Sequence, residues 1–182
     1  MILAGDIGGT STRLAQFNVV DGNLNRLSME VYSSRDHSNL SEILRIYCKQ
    51  HPADIALACL GIAAPVDKGV ARTPNLPWHV SEAELQRDSG LSQVRLINDL
   101  EANAWGIGGL GEDDFCVLNE VHEKVSGNQA VISAGTGLGE AGLYWDGYSY
   151  HPFACEGGHA DFAPCNELQV ELLAYLNRIN GG

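Results

Sequence analysis

The alternation of apolar and polar residues at the start of the chain predicts three strands and then a helix. Residues 1–22 read as an apolar strand, a glycine turn and a return strand of period two, and residues 24–34 as a third strand. Apolar side chains then recur at positions i, i+3, i+4 and i+7, at Leu40, Ile43, Leu44 and Tyr47. This spacing predicts an amphipathic helix over residues 38–50.

The next segment alternates strands and helices. A buried strand is predicted within residues 54–66, and a helix over residues 81–90, where Ser81 and Glu84 fit a capping box. Residues 93–99 read as a further strand and residues 100–110 as a helix. The order β-β-β-α-β-α-β-α predicts a mixed α/β fold.

The second part of the chain repeats the design of the first. Residues 129–147 again read as strand, glycine turn, strand and Asp-Gly, as residues 1–22 do. Such an internal duplication predicts two related domains, which we divide into residues 1–110 and 111–182 at the glycine-rich run 106–111. A last helix is predicted from an apolar stripe at Leu168, Leu172, Leu176 and Ile179.

Charge and cysteine content narrow the classes of function. The chain has 182 residues with 11 Lys and Arg against 23 Asp and Glu, a net charge of −12, which disfavours nucleic acids and anionic membranes as partners. The five cysteines form no C-x-x-C pair, which predicts reduced, buried thiols in a cytoplasmic protein. Neither a signal peptide nor a membrane span is predicted.

The two glycine turns are candidate phosphate sites. Glycines at a tight turn present backbone N–H groups without side chains in the way. In the first turn Asp6 could hold a magnesium-bound water, and the Thr10 hydroxyl could donate to phosphate oxygens; the second turn adds Thr136. Two such turns on two related domains could close on one nucleotide from opposite sides.

Other nucleotide motifs do not fit the second turn. Gly137, Gly139 and Gly142 match the spacing G-x-G-x-x-G, but the dinucleotide fingerprint requires a helix after the turn, and a strand is predicted here. The lysine motif and catalytic loop of protein kinases are absent, and no G-K-[ST] triplet is present for a P-loop.

Polar residues at the end of a predicted strand are candidates for chemistry. Asn98 and Asp99 stand where the strand of residues 93–99 meets a helix, a position that faces the ligand crevice in α/β folds. Asp99 fits two roles equally well, a helix cap or a catalytic base.

Two loops carry residues suited to a sugar. Glu156 and His159 flank two glycines, and a carboxylate and an imidazole can each hold hydroxyl groups. Asn75 and Trp78 stand between prolines, although Trp78 fits the core at least as well. The spacing of His159 and its neighbouring cysteines matches no common zinc site.

Six motifs in this order resemble the bacterial ATP-dependent glucokinase family, within the hexokinase–actin–Hsp70 superfamily. They cover almost the whole chain and read GDIGGTSTRLA, IAAPV, NLPW, LINDLEANAWG, AGTGLGEAGL and EGGHADFAP. The related ROK group of sugar kinases carries a cysteine-rich zinc motif after its E-x-G-H, and no such cluster follows Glu156 here.

The resemblance implies a ribonuclease-H-like (actin-like ATPase) fold, a mixed sheet flanked by helices, with the beginning of a second domain of the same design. It implies ATP and Mg²⁺, no zinc, and glucose as the substrate, with Asp99 as the general base. Two sets of binding residues are expected. The glucose set is Asn75, Asn98, Asp99, Glu156 and His159. The ATP set is Gly5, Asp6, Ile7, Gly8, Gly9, Thr10, Gly135, Thr136 and Gly137.

The resemblance also predicts that the chain is an amino-terminal fragment with weak or absent kinase activity of its own, and a homodimer is one expected assembly. Cys155 stands where the family usually has Gly. Other functions remain open: a non-catalytic sugar-binding or regulatory protein of the same fold, a kinase for another hexose, an actin- or Hsp70-like ATPase, or an acetate-kinase relative.

Overall fold

The computed structural model describes residues 1–73, 76–120, 126–135 and 137–181. Its first sheet has five strands in the order β3-β2-β1-β4-β8. Strands β1 (Ile2–Ile7), β2 (Ser11–Val20) and β3 (Asn23–Ser33) form an antiparallel meander, as the period-two pattern predicts.

The first helix covers one part of this sheet. Helix α1 (Leu40–Gln50) buries the predicted stripe of Leu40, Ile43, Leu44 and Tyr47, and Asn39 caps it by accepting a hydrogen bond from the backbone N–H of Glu42 at 2.9 Å. The stripe packs into the main hydrophobic core together with Leu3, Leu14 and Leu60 of the sheet. The helix prediction is therefore confirmed in position and in buried face.

The middle of the chain adds two parallel strands and a small sheet. Strand β4 (Leu57–Ile62) lies beside β1, and three short strands follow, β5 (Val66–Asp67), β6 (Val70–Arg72) and β7 (His79–Ser81). These three pair into a separate antiparallel sheet that the sequence did not predict, because strands of two or three residues are too short to show a period.

Helix α2 (Glu82–Ser89) leads into β8 (Val94–Asn98), which pairs parallel with β4, and helix α3 (Asp99–Ile107) follows directly. Ser81 is the cap residue of α2, but its side chain makes no capping hydrogen bond, so the predicted capping box is wrong. Glu84 Oε2 instead lies 3.6 Å from His79 Nδ1.

A further three-stranded antiparallel sheet, the second of the two main sheets, follows in the order β11-β10-β9. Its strands are β9 (Gln129–Ala134), β10 (Leu138–Trp145) and β11 (Tyr150–Cys155), and helix α4 (Glu167–Asn180) ends the described chain. Helix α3 packs against this sheet as well as against β4 and β8, and its Ala104 joins Ala141 and Leu143 in a second, smaller core.

The mixed α/β fold is thus confirmed, and the repeated strand–turn–strand design is present in both sheets. The division into domains at residues 110 and 111 stays a prediction. None of the residues of α4 is buried, including the predicted stripe. No helix among the described residues is long and apolar enough to cross a membrane.

The expectation of buried thiols is wrong. All five cysteines are free, but Cys116 and Cys165 are exposed and the others are only partly covered. Cys165 lies in the segment before α4, where most residues are exposed. The apolar residues near it in the sequence therefore do not bury its thiol.

Candidate active site

Three parallel strands end at one edge of the five-stranded sheet. Ile62 of β4 pairs with Ile7 of β1 on one side and with Asn98 of β8 on the other, so the residues that follow these three strands emerge together. Crevices at the carboxyl ends of parallel strands are where α/β folds bind their ligands. The sequence places Gly9 and Thr10, Ala63 to Pro65, and Asp99 at this edge.

A cleft with a volume of about 910 Å³ opens here. Gly9, Thr10, Asn98 and Asp99 form part of its first wall. The opposite wall comes from the second sheet, through the β9–β10 turn and the loop after β11, and it includes Gly135, Gly137, Glu156 and His159. The structure therefore brings together residues from both predicted domains.

Asn98 and Asp99 divide the two roles between them. The amide oxygen of Asn98 caps α3 by accepting from the backbone N–H groups of Leu100 and Glu101, at 3.0 and 3.2 Å. Its Nδ2 lies 3.4 Å from the carbonyl oxygen of Ala64. Of the two roles open to Asp99, the cap is thus performed by its neighbour, and the carboxylate of Asp99 is the first side chain of the helix that reaches the cleft.

The Asp99 carboxyl group is electrostatically unusual. Burial is the largest cause that raises its pKa above the ordinary aspartate value, and the negative charge of Asp6 raises the pKa further. The backbone N–H of Leu100, which donates to Asp99 Oδ1 at 3.0 Å, works in the opposite direction. A carboxylate with a raised pKa binds a proton more strongly, which suits a general base.

Only the last two residues of the first glycine motif line the cleft. Gly9 and Thr10 line the cleft, and the turn closes through a hydrogen bond from the Gly8 N–H to the Ser11 carbonyl at 3.0 Å. Ile7 has its side chain in the core. Gly5 is packed in the sheet, where an added Cβ would lie 2.6 Å from Leu60 Cδ2, so its lack of a side chain serves packing.

Asp6 is partnered by Arg13, the residue opposite it on β2. Arg13 Nη1 lies 2.8 Å from Asp6 Oδ2, and both side chains are largely exposed. Asp6 does not belong to the cleft wall, although its charge acts on Asp99. Any contact of Asp6 with a magnesium-bound water would compete with this ion pair.

The loop after β11 is held close to the β9–β10 hairpin. It forms a 3-10 turn over Gly157–His159, and an added Cβ on Gly158 would collide with the carbonyl oxygen of Leu138. At the exposed surface of this turn His159 Nδ1 lies 3.1 Å from Glu156 Oε2. Cys155 also lines the cleft, and its Sγ accepts from the Gly157 N–H at 3.2 Å.

Two of the predicted ligands, Asn75 and Thr136, lie outside the described residues. Trp78 is 4% exposed in the main core, so the core interpretation of that residue is right. Two charged side chains in the cleft wall, Arg35 and Glu140, were not predicted. The position of Arg35 follows from strand pairing, since Ser33 at the end of β3 pairs with Ser11 next to the glycine turn. Glu140 lies on β10, opposite Cys155 of β11.

No cluster of three or more His, Cys, Asp or Glu side chains that could hold a metal ion is found in residues 1–73, 76–120, 126–135 and 137–181. A metal bound mostly by phosphate oxygens and water would need one or two carboxylates only. Asp99 and Glu140 in the cleft wall and Asp6 nearby meet this smaller requirement.

Comparison with known proteins gives one consistent result. The chain is 39% identical to the glucokinase of Nostoc punctiforme over 178 residues, which cover 97% of this chain and 52% of that protein. It is 39% identical to the glucokinase of Synechocystis sp. over 188 residues, with 97% and 53% covered. The chain spans about half the length of these curated relatives.

The fold has solved counterparts. The crystal structure of a glucokinase from an Antarctic psychrotroph superposes with a TM-score of 0.81 at 30% identity, over 97% of this chain and 56% of that one. The glucokinase family model matches residues 3–181, nearly the full sequence. The chain therefore belongs to the glucokinase family, as the order of its motifs indicates.

Proposed function

We propose that this protein is a glucokinase, which transfers the γ-phosphoryl group of ATP to the 6-hydroxyl of glucose. The observation that carries the proposal is the position of Asp99, whose carboxylate has a raised pKa at the carboxyl end of a central strand, in a cleft between two glycine turns. The membership of the glucokinase family supports the choice of substrate. The same cleft shape alone would serve other hexoses.

Glucose is proposed to bind at the end of the cleft formed by α3 and the loop after β11. There Asn98, Asp99, Glu156 and His159 offer an amide, two carboxylates and an imidazole to sugar hydroxyls. His159 Nδ1 lies 3.1 Å from Glu156 Oε2, so the two side chains already stand side by side where the sugar is proposed to bind. Asn75 is proposed as a further ligand.

The phosphates of ATP are proposed to bind between the two glycine turns. Gly9, Thr10, Gly135 and Gly137 line the cleft, and backbone N–H groups in such turns can face phosphate oxygens. Gly5, Asp6, Ile7 and Gly8 are proposed to support this from the strand and the turn behind it. Thr136 is proposed as a further ligand of the phosphates. Magnesium bound to ATP would neutralise phosphate charge, with Asp6 as a ligand through water.

In the proposed reaction the protein positions two substrates and accepts one proton. Asp99 accepts the proton of the sugar hydroxyl as that oxygen bonds to the γ-phosphorus, while the bond from this phosphorus to the β–γ bridging oxygen breaks and ADP leaves. The raised pKa of Asp99 increases its affinity for that proton. Phosphoryl transfer demands little covalent chemistry from a protein, so alignment in the cleft supplies most of the effect. Closure of the two cleft walls around the substrates is proposed to exclude water, which would otherwise compete as the acceptor.

Calorimetry on this chain tests the proposal. Titration with D-glucose is expected to give saturable binding, whereas L-glucose, which has the same chemical groups in the mirror arrangement, is expected to give none. A chain that binds neither sugar, or both alike, contradicts the assignment of the cleft. The homodimer and the cytoplasmic location are proposals that rest on the sequence alone.

A further inference from the structure

Arg35 is a charged residue in the cleft wall for which the motifs offer no role. It lies in a 3-10 turn over Ser34–Asp36, directly after β3, and it faces the cleft together with Gly9, Thr10 and Asp99. Among the described residues that line the cleft it is the one Lys or Arg side chain. The other charged groups there are carboxylates, and the remaining ionisable side chains are the thiol of Cys155 and the imidazole of His159, which lies 3.1 Å from Glu156.

The backbone of the turn that carries Arg35 is held by a buried network around Ser34, while the Arg35 side chain itself is exposed. The Ser34 N–H donates to the Thr10 carbonyl at 3.0 Å, and the Ser34 hydroxyl donates to the Gly8 carbonyl at 2.8 Å. Thr12 Oγ1 lies 3.0 Å from Ser34 Oγ, and both hydroxyl side chains are fully buried. The turn that carries Arg35 is therefore attached to the glycine turn proposed to hold phosphate.

The guanidinium of Arg35 is available for a ligand. No carboxylate of the described residues lies within ion-pair distance of it, whereas Arg13 on the neighbouring strand is occupied by Asp6 at 2.8 Å. A phosphoryl group brings concentrated negative charge into a cleft that already contains Asp99, Glu140 and Glu156. A planar guanidinium that donates to two phosphoryl oxygens at once is well suited to offset that charge.

We propose that Arg35 binds the phosphoryl group at the point of transfer, which is the terminal phosphate of the donor before the reaction and the 6-phosphate of the sugar after it. This inference rests on the proposed function, and it adds a residue that recognises the group transferred. It also gives the buried pair Thr12 and Ser34 a role in positioning Arg35 and the glycine turn as one unit.

The test uses three ligands that contain different parts of the substrates: magnesium tripolyphosphate, glucose 6-phosphate and glucose. Affinities of the chain are measured by calorimetry for the wild type, Arg35→Gln and Arg35→Lys. Arg26→Gln is the matched control, because Arg26 is an exposed arginine on β3 outside the cleft wall.

Arg35→Gln is expected to weaken binding of the phosphorylated ligands by roughly tenfold to a hundredfold, as for the loss of a hydrogen-bonded charged group. Glucose affinity should stay unchanged. Arg35→Lys should recover part of the lost affinity, because lysine restores the positive charge but cannot donate two parallel hydrogen bonds as a guanidinium does. A loss with tripolyphosphate alone supports contact with the donor, and a loss with glucose 6-phosphate alone supports contact with the product.

Unchanged affinity of Arg35→Gln for both phosphorylated ligands, or an equal loss in Arg26→Gln, overturns the inference. A wild-type chain that binds none of the three ligands overturns the proposed function itself, and the inference with it. The two failures are distinguishable. Failure of the Arg35 inference is visible only when the variants are compared with the wild type, whereas failure of the proposed function is visible in the wild type alone.

Discussion

The hydroxyl of Ser34 donates a hydrogen bond to the backbone carbonyl of Gly8 over 2.8 Å, although the two residues are 26 positions apart. The bond joins the turn after β3 to the turn after β1, and Thr12 completes it with a second buried hydroxyl. Buried hydroxyl groups that lose a partner cost free energy, since no water replaces the bond. The glycine turn is consequently held by side chains that do not themselves belong to its motif.

The first prediction concerns this network. Ser34→Ala should lower the free energy of unfolding by about 1–3 kcal/mol, because it leaves the Gly8 carbonyl and the Thr12 hydroxyl without a buried partner. Urea denaturation measures the change. Ser92→Ala is the control, since Ser92 is exposed and its loss should stay within about 0.5 kcal/mol. Equal stability of the Ser34 and Ser92 variants would show that the network does not stabilise the turn.

The second prediction separates the chemistry of Asp99 from its effect on the fold. In a protein that extends this chain to the length of its curated relatives, Asp99→Asn should lower kcat by a factor on the order of 10² to 10⁴, the usual contribution of a general base, while glucose affinity changes little. Asp113→Asn, an exposed aspartate in the segment after α3, should leave kcat unaltered. Retention of full turnover by the Asp99 variant would remove Asp99 from the role of base.

The third prediction follows from the raised pKa of Asp99. Because the pKa in the folded state exceeds that in the unfolded state, the folded protein binds the proton more strongly, and stability is lost as pH rises through the folded pKa. Asp99→Asn removes this penalty, so the variant should be at least as stable as the wild type at pH 7. The advantage should shrink as the pH falls toward the ordinary aspartate pKa. Urea midpoints at a series of pH values measure this, and a variant destabilised at pH 7 would contradict it.

The fourth prediction concerns the hairpin between β10 and β11. Backbone N–H groups of Ser149 and Tyr148 and the ring of His151 donate to Asp146, which lowers its pKa to about 2. A lowered pKa stabilises the fold above the unfolded value of 3.8, and this stabilisation is lost as the pH falls through about 2. In NMR titrations the Ser149 amide signal should therefore move with a midpoint near 2; a midpoint near 4 would show that Asp146 does not accept these bonds.

The fifth prediction tests the close approach of the loop after β11 to β10. Gly158→Ala places a methyl group against the Leu138 carbonyl, which must displace the loop that carries Glu156 and His159. We expect glucose affinity to fall at least tenfold and the free energy of unfolding to fall by about 1–3 kcal/mol, as for other overpacked sites. Gly106→Ala in α3 is the matched control, because nothing lies near its added Cβ and alanine favours helices. Unchanged glucose affinity in Gly158→Ala would place the sugar elsewhere.

Much of the fold and part of the candidate site could be predicted from the sequence, because the features concerned depend on residues that are close together in the chain. The apolar side chains from Leu40 to Tyr47 repeat with the period of a helix. Asp99 directly follows β8, a strand that its apolar residues make recognisable in the sequence. Short glycine motifs can be recognised from the sequence alone, and four of their residues line the cleft: Gly9, Thr10, Gly135 and Gly137.

The remaining features depend on pairing between distant segments. Arg35 reaches the cleft because β2 and β3 pair with Ser11 opposite Ser33, and no local pattern encodes that register. Gly5 belongs to a phosphate motif by sequence, yet its Cβ position is occupied by Leu60 from another strand. Asn98 rather than Asp99 caps α3 because the helix begins at Asp99, and sequence patterns do not locate the start of a helix to within one residue.

The most direct test of the central claim is phosphorus NMR of a reaction that contains MgATP, glucose and this chain extended to the length of its curated relatives, with 6-deoxyglucose as the matched control. We predict that a phosphate monoester signal from glucose 6-phosphate rises as ATP is consumed, and that no sugar phosphate forms from 6-deoxyglucose, which lacks the accepting hydroxyl. Formation of inorganic phosphate without any sugar phosphate, or phosphorylation of 6-deoxyglucose at another hydroxyl, would contradict the proposed transfer to the 6-hydroxyl of glucose.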